Sequence, residues 1–199
     1  MLKRRVAVFV SGGGTNLQAL LDARAEGLLP SGEIALVISS KPGVYALERA
    51  RLAGIPAFAL PRKELSLEEF EARCLALLEE HRIEYIVLAG FLTIFSDTLI
   101  KQYPRRIINT HPALIPSFCG KGFYGLRVHR AALDYGVKVT GATVHFVNEV
   151  CDGGDIILQK AVDVLPGDTP ETLQRRVMEQ AEWILLPQAL ELVCSGQVK

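Results

Sequence analysis

The sequence predicts an α/β protein with a Rossmann-like open sheet, in which parallel N-terminal strands are followed by an antiparallel C-terminal extension. Three observations support this fold class. Apolar, β-branched segments alternate with stretches of helical spacing through the first half, the pattern of right-handed βαβ crossovers. A glycine-rich turn at residues 11–16 follows the first of these segments. After Pro112, two long β-type segments follow each other without a helix between them, as neighbouring antiparallel strands do.

Five short apolar segments predict the parallel strands. Both faces of a parallel sheet are covered by helices, so such strands are apolar along their whole length. The segments are residues 5–10, 34–38, 57–60, 85–88 and 106–110.

The predicted helices between these strands have recognisable ends. Thr15 or Asn16 is expected to cap the first helix, because short polar side chains bind the free N–H groups of a first turn. A second helix is predicted at 46–53 and closed by Gly54, since glycine readily ends a helix. Ser-Leu-Glu-Glu at 66–69 is a capping box in front of a third helix.

The C-terminal part is predicted to add two strands and a helix. Residues 137–147 and 155–164 are the two β-type segments. Thr169 is expected to cap a last helix with Pro170 at its first position, and this helix runs towards Pro187. Because no repeat or long linker interrupts the pattern, we expect one domain.

Length and charge exclude several functional classes. The 199 residues contain 22 lysines and arginines and 22 acidic residues, so the formal net charge is zero. Proteins that wrap nucleic acid carry a basic surplus, because phosphate neutralisation supplies most of that affinity. With 49% hydrophobic and 22% charged residues, the composition is that of a globular protein. We therefore expect no nucleic-acid partner.

Apolar runs and cysteines bear on the location of the protein. No run approaches the ~18 apolar residues of a membrane helix, so we expect no membrane partner. The cysteines show neither paired spacing nor a zinc-binding pattern, which favours a reduced, cytoplasmic protein. They are Cys74, Cys119, Cys151 and Cys194.

The glycine-rich turn at 11–16 is a candidate anion site. Glycines let backbone N–H groups approach a ligand, and a helix N-terminus favours an anion. Leu17 stands where a dinucleotide motif requires its third glycine, so a single phosphate fits better than a dinucleotide. An ordinary tight turn between strand and helix stays open. The segment 90–96 after the fourth strand either grips a flat ring system or simply packs on the sheet.

Asn109 and His111 are the strongest catalytic signal. Their spacing of two places both side chains on one side of a strand end. Histidine titrates near neutral pH, and asparagine supplies a neutral donor for a developing oxyanion. Asp152, directly before two glycines, is expected to pair with His111 and raise its pKa; a plain turn residue is the alternative. Cys151 is interpreted as structural.

Four motifs together resemble one known family. They are Ser-Gly-Gly-Gly-Thr-Asn at 11–16, Leu-Ala-Gly-Phe at 88–91, Asn-Thr-His-Pro-Ala-Leu-Ile-Pro at 109–116 and Asp-Gly-Gly at 152–154. In this order they resemble the phosphoribosylglycinamide formyltransferase family over essentially the whole chain. The resemblance implies transfer of a formyl group from 10-formyltetrahydrofolate to the amine of glycinamide ribonucleotide in purine biosynthesis. It implies the formyltransferase fold, no metal and no covalent enzyme intermediate.

The resemblance also assigns roles to individual residues. It implies that Asn109, His111 and Asp152 are catalytic and that Glu182 holds the glycinamide end of the substrate. The nucleotide phosphate and ribose would lie at Gly14, Thr15 and Asn16. The folate-binding residues would be Leu92, Thr93, Ile94, Phe95, Asn109, Asn148, Glu149, Val150 and Cys151. Within the single domain 1–199, residues 1–105 would form the nucleotide-binding half and 106–199 the catalytic and folate-binding half.

The chain departs from the family pattern in three places. Better-known members carry Met-Arg where this chain has Leu92-Thr93, and they place a folate-contacting arginine near Leu67. Arg62 or Lys63 is expected to replace that arginine. The stretch Cys-Gly-Lys-Gly-Phe-Tyr-Gly at 119–125 is longer than in some relatives and is expected to be a flexible loop. His129, beyond this loop, is a secondary catalytic candidate.

Three other functions compete with this one. Methionyl-tRNA formyltransferase shares the motifs but adds a C-terminal RNA-binding domain, and none is expected after Lys199. Formyltetrahydrofolate hydrolase adds an N-terminal regulatory domain, and none is expected ahead of a first strand at residue 5. A non-catalytic nucleotide-binding module does not require Asn109, His111 and Asp152 together. Monomer and homodimer both stay open, as does the preferred folate polyglutamate length.

Overall fold

The protein forms an open, mixed sheet in this computed structural model, which describes residues 2–198. Seven strands within that range lie in the order β3-β2-β1-β4-β5-β6-β7. They are β1 (Arg4–Val10), β2 (Gly32–Ser39), β3 (Ala57–Ala59), β4 (Tyr85–Leu88), β5 (Ile107–His111), β6 (Val139–Phe146) and β7 (Ile156–Asp163). The first five strands pair in parallel, and β6 and β7 are antiparallel. The predicted fold class is therefore confirmed.

Helices cover both faces of this sheet. They are α1 (Thr15–Ala25), α2 (Tyr45–Leu52), α3 (Leu67–Glu80), α4 (Asp97–Gln102), α5 (Leu126–Tyr135), α6 (Pro170–Val177) and α7 (Trp183–Cys194). A π-helical turn, Met178–Glu182, joins α6 to α7. The two predicted side-chain caps are confirmed, since Ser66 accepts from the Glu69 N–H and Thr169 from the Thr172 N–H. The sequence patterns did not predict α4 and α5.

The predicted cap of α1 is wrong. Gly14, not Thr15 or Asn16, caps this helix, and it has a left-handed φ of 74°. A Cβ atom at Gly14 would lie 2.6 Å from the Cβ of Ala46. Because both the backbone angle and the close approach of α2 require glycine, the helix begins without a side-chain cap.

The last helix extends past the residue towards which it was expected to run. Pro187 lies inside α7, which ends at Cys194. Pro187 is the fifth residue of α7, so its missing N–H removes the bond to the carbonyl of Trp183, the first residue of that helix.

Two apolar layers hold the sheet. Successive side chains of a strand point to opposite faces, so β1 contributes Val6, Val8 and Val10 to one layer and Ala7 and Phe9 to the other. Helices α1 and α7 pack on the first face and α3 on the second. Among residues 2–198, no helix is both long and apolar enough to cross a membrane.

The topology determines where a site can form. From β1 the chain proceeds to β2 and β3 on one side, and it returns to β4 and β5 on the other. The segments that follow β1 and β4 therefore diverge and leave a crevice at the carboxyl ends of these strands, where open α/β sheets bind ligands.

Candidate active site

Asn109 and His111 lie on β5 and face one cavity. Both line a cavity of about 690 Å³ at the carboxyl end of the sheet, together with Asp152 and Glu182. Asn109 is half-buried and His111 is 4% exposed. The alternation of a β-strand explains the common orientation of the two side chains, as the sequence spacing predicts.

Asp152 lies at the centre of the polar cluster. Its Oδ2 accepts the N–H of Gly120 at 2.8 Å and is 3.5 Å from His111 Nδ1. Its Oδ1 is 3.4 Å from Asn109 Nδ2 and 3.6 Å from His145 Nε2. The predicted pairing of Asp152 with His111 is therefore present in the structure.

Gly153 and Gly154, the two residues after Asp152, hold the carboxylate in place. Asp152 has a left-handed φ of 55°, and a short polar side chain tolerates this conformation better than most. A Cβ atom at Gly154 would lie 1.8 Å from the carbonyl oxygen of Phe146. The Asp-Gly-Gly motif therefore combines a turn with a backbone approach that only glycine permits.

Two protein groups contact the ring of His111. Nε2 lies 2.9 Å from the carbonyl oxygen of Phe118, an acceptor, so this nitrogen carries a proton and donates. Nδ1 then holds the lone pair of the neutral ring and faces Asp152. Burial lowers the pKa of His111 below its usual 6.5, and this outweighs the opposite effect of the Asp152 charge. The prediction of a raised pKa is therefore wrong in its net direction.

The carboxyl of Asp152 is stabilised in its charged form. Burial acts to raise its pKa, but the hydrogen bond from His145, the charge of His111 and the Gly120 N–H together lower it below 3.8. The pair consequently consists of an ionised carboxylate and a neutral imidazole near neutral pH.

His145 belongs to the cluster, although the sequence reasoning assigned it no role. It stands on β6 opposite Asn109 and is 1% exposed. Its Nδ1 lies 2.7 Å from the carbonyl oxygen of Phe146, and its Nε2 lies 3.2 Å from Asn109 Nδ2. The available signal was a histidine in a strand that has no other ionisable side chain.

Two of the residues that are predicted to bind the ribonucleotide meet across the crevice. Asn16 Nδ2 donates to Glu182 Oε2 at 2.8 Å, and both residues line the cavity with Thr15. Gly14 is the helix cap and does not line it. The buried Oδ1 of Asn16 has no hydrogen-bond partner within the described residues. Burial raises the pKa of Glu182, and the Asn16 bond opposes this.

The expected folate residues surround the cavity and a smaller recess beside it. The recess, of about 120 Å³, lies between the segment after β4 and the segment after β6. It is lined by Thr93, Ile94, Phe95, Asn109, Asn148, Glu149, Val150 and Cys151. Leu92 lines the larger cavity. The phenyl ring of Phe9 packs edge-on against Phe95, with centroids 5.3 Å apart, and supports this wall from below.

Ser11 connects the two parts of the crevice. Its buried hydroxyl accepts the N–H of Leu92 at 3.0 Å and bonds to the hydroxyl of Ser40 at 2.7 Å. The ends of β1, β2 and β4 are thereby held together, and the glycine-rich turn is joined to the predicted folate segment.

Other predicted positions lie away from these cavities. Arg62 donates to the carbonyl oxygen of Leu65, and neither it nor Lys63 lines the cavity or the recess. His129 is fully buried on α5 and lines neither. Burial raises the pKa of the Cys151 thiol, and Asp152 raises it further, which disfavours a nucleophilic thiolate.

Two further observations concern a second groove and metal binding. A groove of about 800 Å³ between α1 and α7 shares Thr15 with the cavity but contains none of the predicted catalytic residues. Within residues 2–198, no group of three or more histidine, cysteine or acidic side chains is arranged to hold a metal ion.

Comparison with known proteins identifies the family. Residues 4–190 match the formyl transferase family. The chain belongs to the formyl transferase family. Among members of known structure, the glycinamide ribonucleotide transformylase 1 of Symbiobacterium toebii superposes with a TM-score of 0.92 at 40% identity, over 99% of this chain and 90% of that one. A formyltetrahydrofolate deformylase from Pseudomonas syringae superposes with a TM-score of 0.90 at 29% identity, over 100% of this chain and 63% of that one.

Curated formyl transferase relatives agree with this assignment. The chloroplastic phosphoribosylglycinamide formyltransferase of Arabidopsis thaliana is 37% identical over 199 residues, which are 99% of this chain and 68% of that protein. The trifunctional purine biosynthetic protein adenosine-3 of Gallus gallus is 46% identical over 200 residues, which are 99% of this chain but 19% of that protein. The chain thus spans about a fifth of that trifunctional relative. The resemblance to the phosphoribosylglycinamide formyltransferase family is confirmed.

Proposed function

We propose that the chain transfers a formyl group from 10-formyltetrahydrofolate to the amine of glycinamide ribonucleotide, yielding formylglycinamide ribonucleotide and tetrahydrofolate for purine biosynthesis. One observation carries the proposal: Asn109, His111 and Asp152 converge on one cavity, with Nδ1 of His111 3.5 Å from Asp152 Oδ2. Formyl transfer to an amine requires a group that accepts a proton, a carboxylate that stabilises the cation so formed, and a hydrogen-bond donor to the developing oxyanion. His111, Asp152 and Asn109 supply these three functions in that order.

His111 acts as the proton acceptor. Its Nε2–H is held by the Phe118 carbonyl, so Nδ1 takes the proton that the attacking amine loses. The lowered pKa keeps the ring neutral and able to accept. Once protonated, Nδ1 faces the ionised Asp152 carboxylate, which stabilises the imidazolium. When the bond between the formyl carbon and the folate nitrogen breaks, the imidazolium returns this proton to the leaving nitrogen, which gives tetrahydrofolate and the neutral ring.

Asn109 acts as the oxyanion donor. Its Nδ2 is close to His145 Nε2 at 3.2 Å and more distant from Asp152 Oδ1 at 3.4 Å. The longer contact is the weaker one, and a negatively charged oxygen that develops on the transferred formyl group replaces it. Removal of a single donor of this kind typically costs about 10²-fold to 10³-fold in turnover.

The remaining residues bind the two substrates. Glu182, held by Asn16, accepts hydrogen bonds from the glycinamide end, and the backbone N–H groups at Gly14, Thr15 and Asn16 receive the phosphate side. The recess beside Asn109 has apolar walls at Ile94 and Phe95 with the 148–151 backbone opposite, which suits the flat, polar-edged pterin ring.

Each half of the chain, 1–105 and 106–199, contributes residues to the binding of both substrates. Residues 1–105 supply the glycine-rich turn, and 106–199 supply the catalytic side chains, within one domain. The predicted division is approximate, because Leu92 and its neighbours belong to the folate wall and Glu182 to the nucleotide side. The free cysteines favour a reducing, cytoplasmic setting for this reaction.

A direct assay tests the proposal. Purified protein is given 10-formyltetrahydrofolate, and both tetrahydrofolate and formate are measured with and without glycinamide ribonucleotide. We expect tetrahydrofolate formation to depend on the ribonucleotide, with the formyl group recovered on its amine. Formate release at the same rate without ribonucleotide would instead identify a hydrolase.

The hydrolase is the second candidate, because the superposed Pseudomonas syringae protein is a formyltetrahydrofolate deformylase. In a hydrolase, water takes the place of the amine at the formyl carbon, and the same base accepts its proton. The Asn16–Glu182 pair favours transfer, since a hydrolase needs no group to hold a second organic substrate. Binding of ribonucleotide without any turnover would indicate a non-catalytic module.

A further inference from the structure

The walls of the active-site cavity have an unusual distribution of charge. Two carboxyl groups, those of Asp152 and Glu182, line it. Of the described residues around this cavity, only Lys121 is a lysine or an arginine. Under the proposed function, on which this inference rests, both substrates are anionic, one through a phosphate and the other through glutamate carboxylates. A cation in such a cavity would offset the repulsion between these carboxyl groups and an anionic ligand.

Lys121 is free to serve as that cation. Its side chain is exposed, and within residues 2–198 no hydrogen bond or ion pair holds its ammonium group. Gly120 and Gly122 flank it with left-handed φ values of 89° and 100°. The Phe123 N–H donates to the Gly120 carbonyl at 3.1 Å, so the lysine lies within a tight turn, and this turn lines the cavity.

The same loop contacts the catalytic side chains. The carbonyl oxygen of Phe118 accepts from His111 Nε2 at 2.9 Å, and the Gly120 N–H donates to Asp152 Oδ2 at 2.8 Å. These two bonds fix the loop on both sides of the catalytic pair. Lys121, which follows Gly120, is therefore placed close to the reacting groups, although its side chain has no hydrogen-bond or ion-pair partner among residues 2–198.

We propose that Lys121 is a specificity-determining residue that binds an oxyanion of a substrate inside this cavity. The oxyanion is either the phosphate monoester of the ribonucleotide or a carboxylate of the folate tail; both present the same chemistry to an ammonium group. Lys121 does not take part in the chemical step. It contributes to substrate binding, and its effect appears in KM rather than in kcat.

The first experiment compares steady-state kinetics of the wild type, Lys121→Gln, Lys121→Arg and Lys160→Gln. Lys160 is the matched control, because it is an exposed lysine on β7 that lines neither the cavity nor the recess. We expect Lys121→Gln to raise KM for one substrate by about 5-fold to 10-fold with little change in kcat, the range for a partly exposed charged contact. Lys121→Arg should retain most of the affinity.

Truncated substrates identify the oxyanion. With glycinamide riboside, which lacks the phosphate, wild type and Lys121→Gln should have equal KM values if Lys121 binds the phosphate. With a 10-formyl folate analogue that lacks the glutamate tail, they should be equal if it binds the carboxylate. The inference is overturned if Lys121→Gln leaves both KM values unchanged, or if its defect persists with both truncated substrates.

Binding measurements separate this inference from the proposed function. Calorimetric titration of each substrate alone into wild type and Lys121→Gln requires no turnover. If the wild type is inactive but binds ribonucleotide or folate more tightly than Lys121→Gln does, the proposed reaction is wrong and the role of Lys121 is supported. If the wild type is active and its affinities equal those of Lys121→Gln, the proposed reaction is supported and the role of Lys121 is wrong.

Discussion

Asn16 and Glu182 lie 166 positions apart in the sequence, and Asn16 Nδ2 donates to Glu182 Oε2 at 2.8 Å inside the fold. One residue belongs to the first turn of α1 and the other ends the π-helical turn before α7. Helices α1 and α7 pack on the same face of the sheet, and this packing brings the two residues together. The bond places a carboxyl group opposite the glycine-rich turn.

Glu182→Gln should stabilise the protein while it weakens catalysis. Burial raises the pKa of Glu182, so the folded chain holds this proton more tightly than the unfolded chain and stability falls as pH rises above about 4.5. Glutamine keeps the acceptor for Asn16 without the charge. We expect a thermal midpoint higher by about 2–5 °C at pH 7, together with a raised KM for the ribonucleotide. An unchanged or lower midpoint would contradict this account of the buried carboxyl.

Asp152→Asn should reduce kcat by about 10²-fold or more, because an amide cannot stabilise the imidazolium that forms on His111. The matched control is Asp155→Asn, which alters an exposed carboxylate paired with Arg105 in the same segment of the chain. Steady-state assays of both variants provide the comparison. A nearly normal rate for Asp152→Asn would mean that this aspartate is only a turn residue.

The pH dependence of kcat/KM should report the ionisation of His111. The ring must be neutral to accept a proton, and its pKa is lowered below 6.5, so activity should decline only below that pH. The charge of Asp152 is the larger of the two effects that raise this pKa, the other being the hydrogen bond to Phe118, so the acidic limb of residual Asp152→Asn activity should move to still lower pH. NMR titration of the His111 ring measures the same shift directly. A limb that moves upward would show that Asp152 does not act through this ring.

Acid should destabilise the fold through His129. This ring is fully buried, and burial, followed by the charge of His111, lowers its pKa from 6.5 to about 4. The unfolded chain therefore binds a proton near pH 6.5 that the folded chain refuses until pH 4. The neutral His129 ring therefore contributes to the free energy of unfolding fully above pH 6.5. This contribution, on the order of 3 kcal/mol in total, is lost as the pH falls from 6.5 to 4. Urea unfolding of His129→Gln should show a shallower loss between these values than the wild type.

Two glycines of the same turn should respond differently to alanine. Gly14→Ala introduces a Cβ 2.6 Å from that of Ala46 and strains a φ of 74°, so we expect a loss of about 2 kcal/mol or more. Gly12→Ala places its Cβ in open space, with no heavy atom within 4 Å, and should fold like the wild type. Thermal unfolding of both proteins provides the measurement. Equal midpoints would contradict the steric explanation of the turn.

Sequence reasoning was most successful where the signal was local. The spacing of Asn109 and His111 alone places both side chains on one face of a strand, and the structure has them there. The capping boxes at Ser66 and Thr169 likewise depend on residues three positions apart. The fold class follows from the alternation of apolar segments, because crossover handedness leaves few topologies.

The missed features depend on distant parts of the chain. His145 joins the cluster only because β6 pairs with β5 in one register, which no local pattern encodes. Gly14 caps α1 because α2 approaches it, and the pKa of His111 falls because the surrounding fold excludes water. The role of Glu182 was assigned through family resemblance, since its neighbours in sequence give no sign of the asparagine it meets.

The π-helical turn at Met178–Glu182 has a consequence for how this fold tolerates changes in length. Such a turn closes its hydrogen bonds over five residues instead of four, so it contains one residue more than an α-helical turn. The helical segments on either side nevertheless keep their apolar stripes on the sheet, with Leu173 and Val177 before it and Leu186 and Leu190 after it. An insertion or deletion of one residue can therefore occur within a continuous helix and be absorbed there, and length variation among homologues need not be confined to loops.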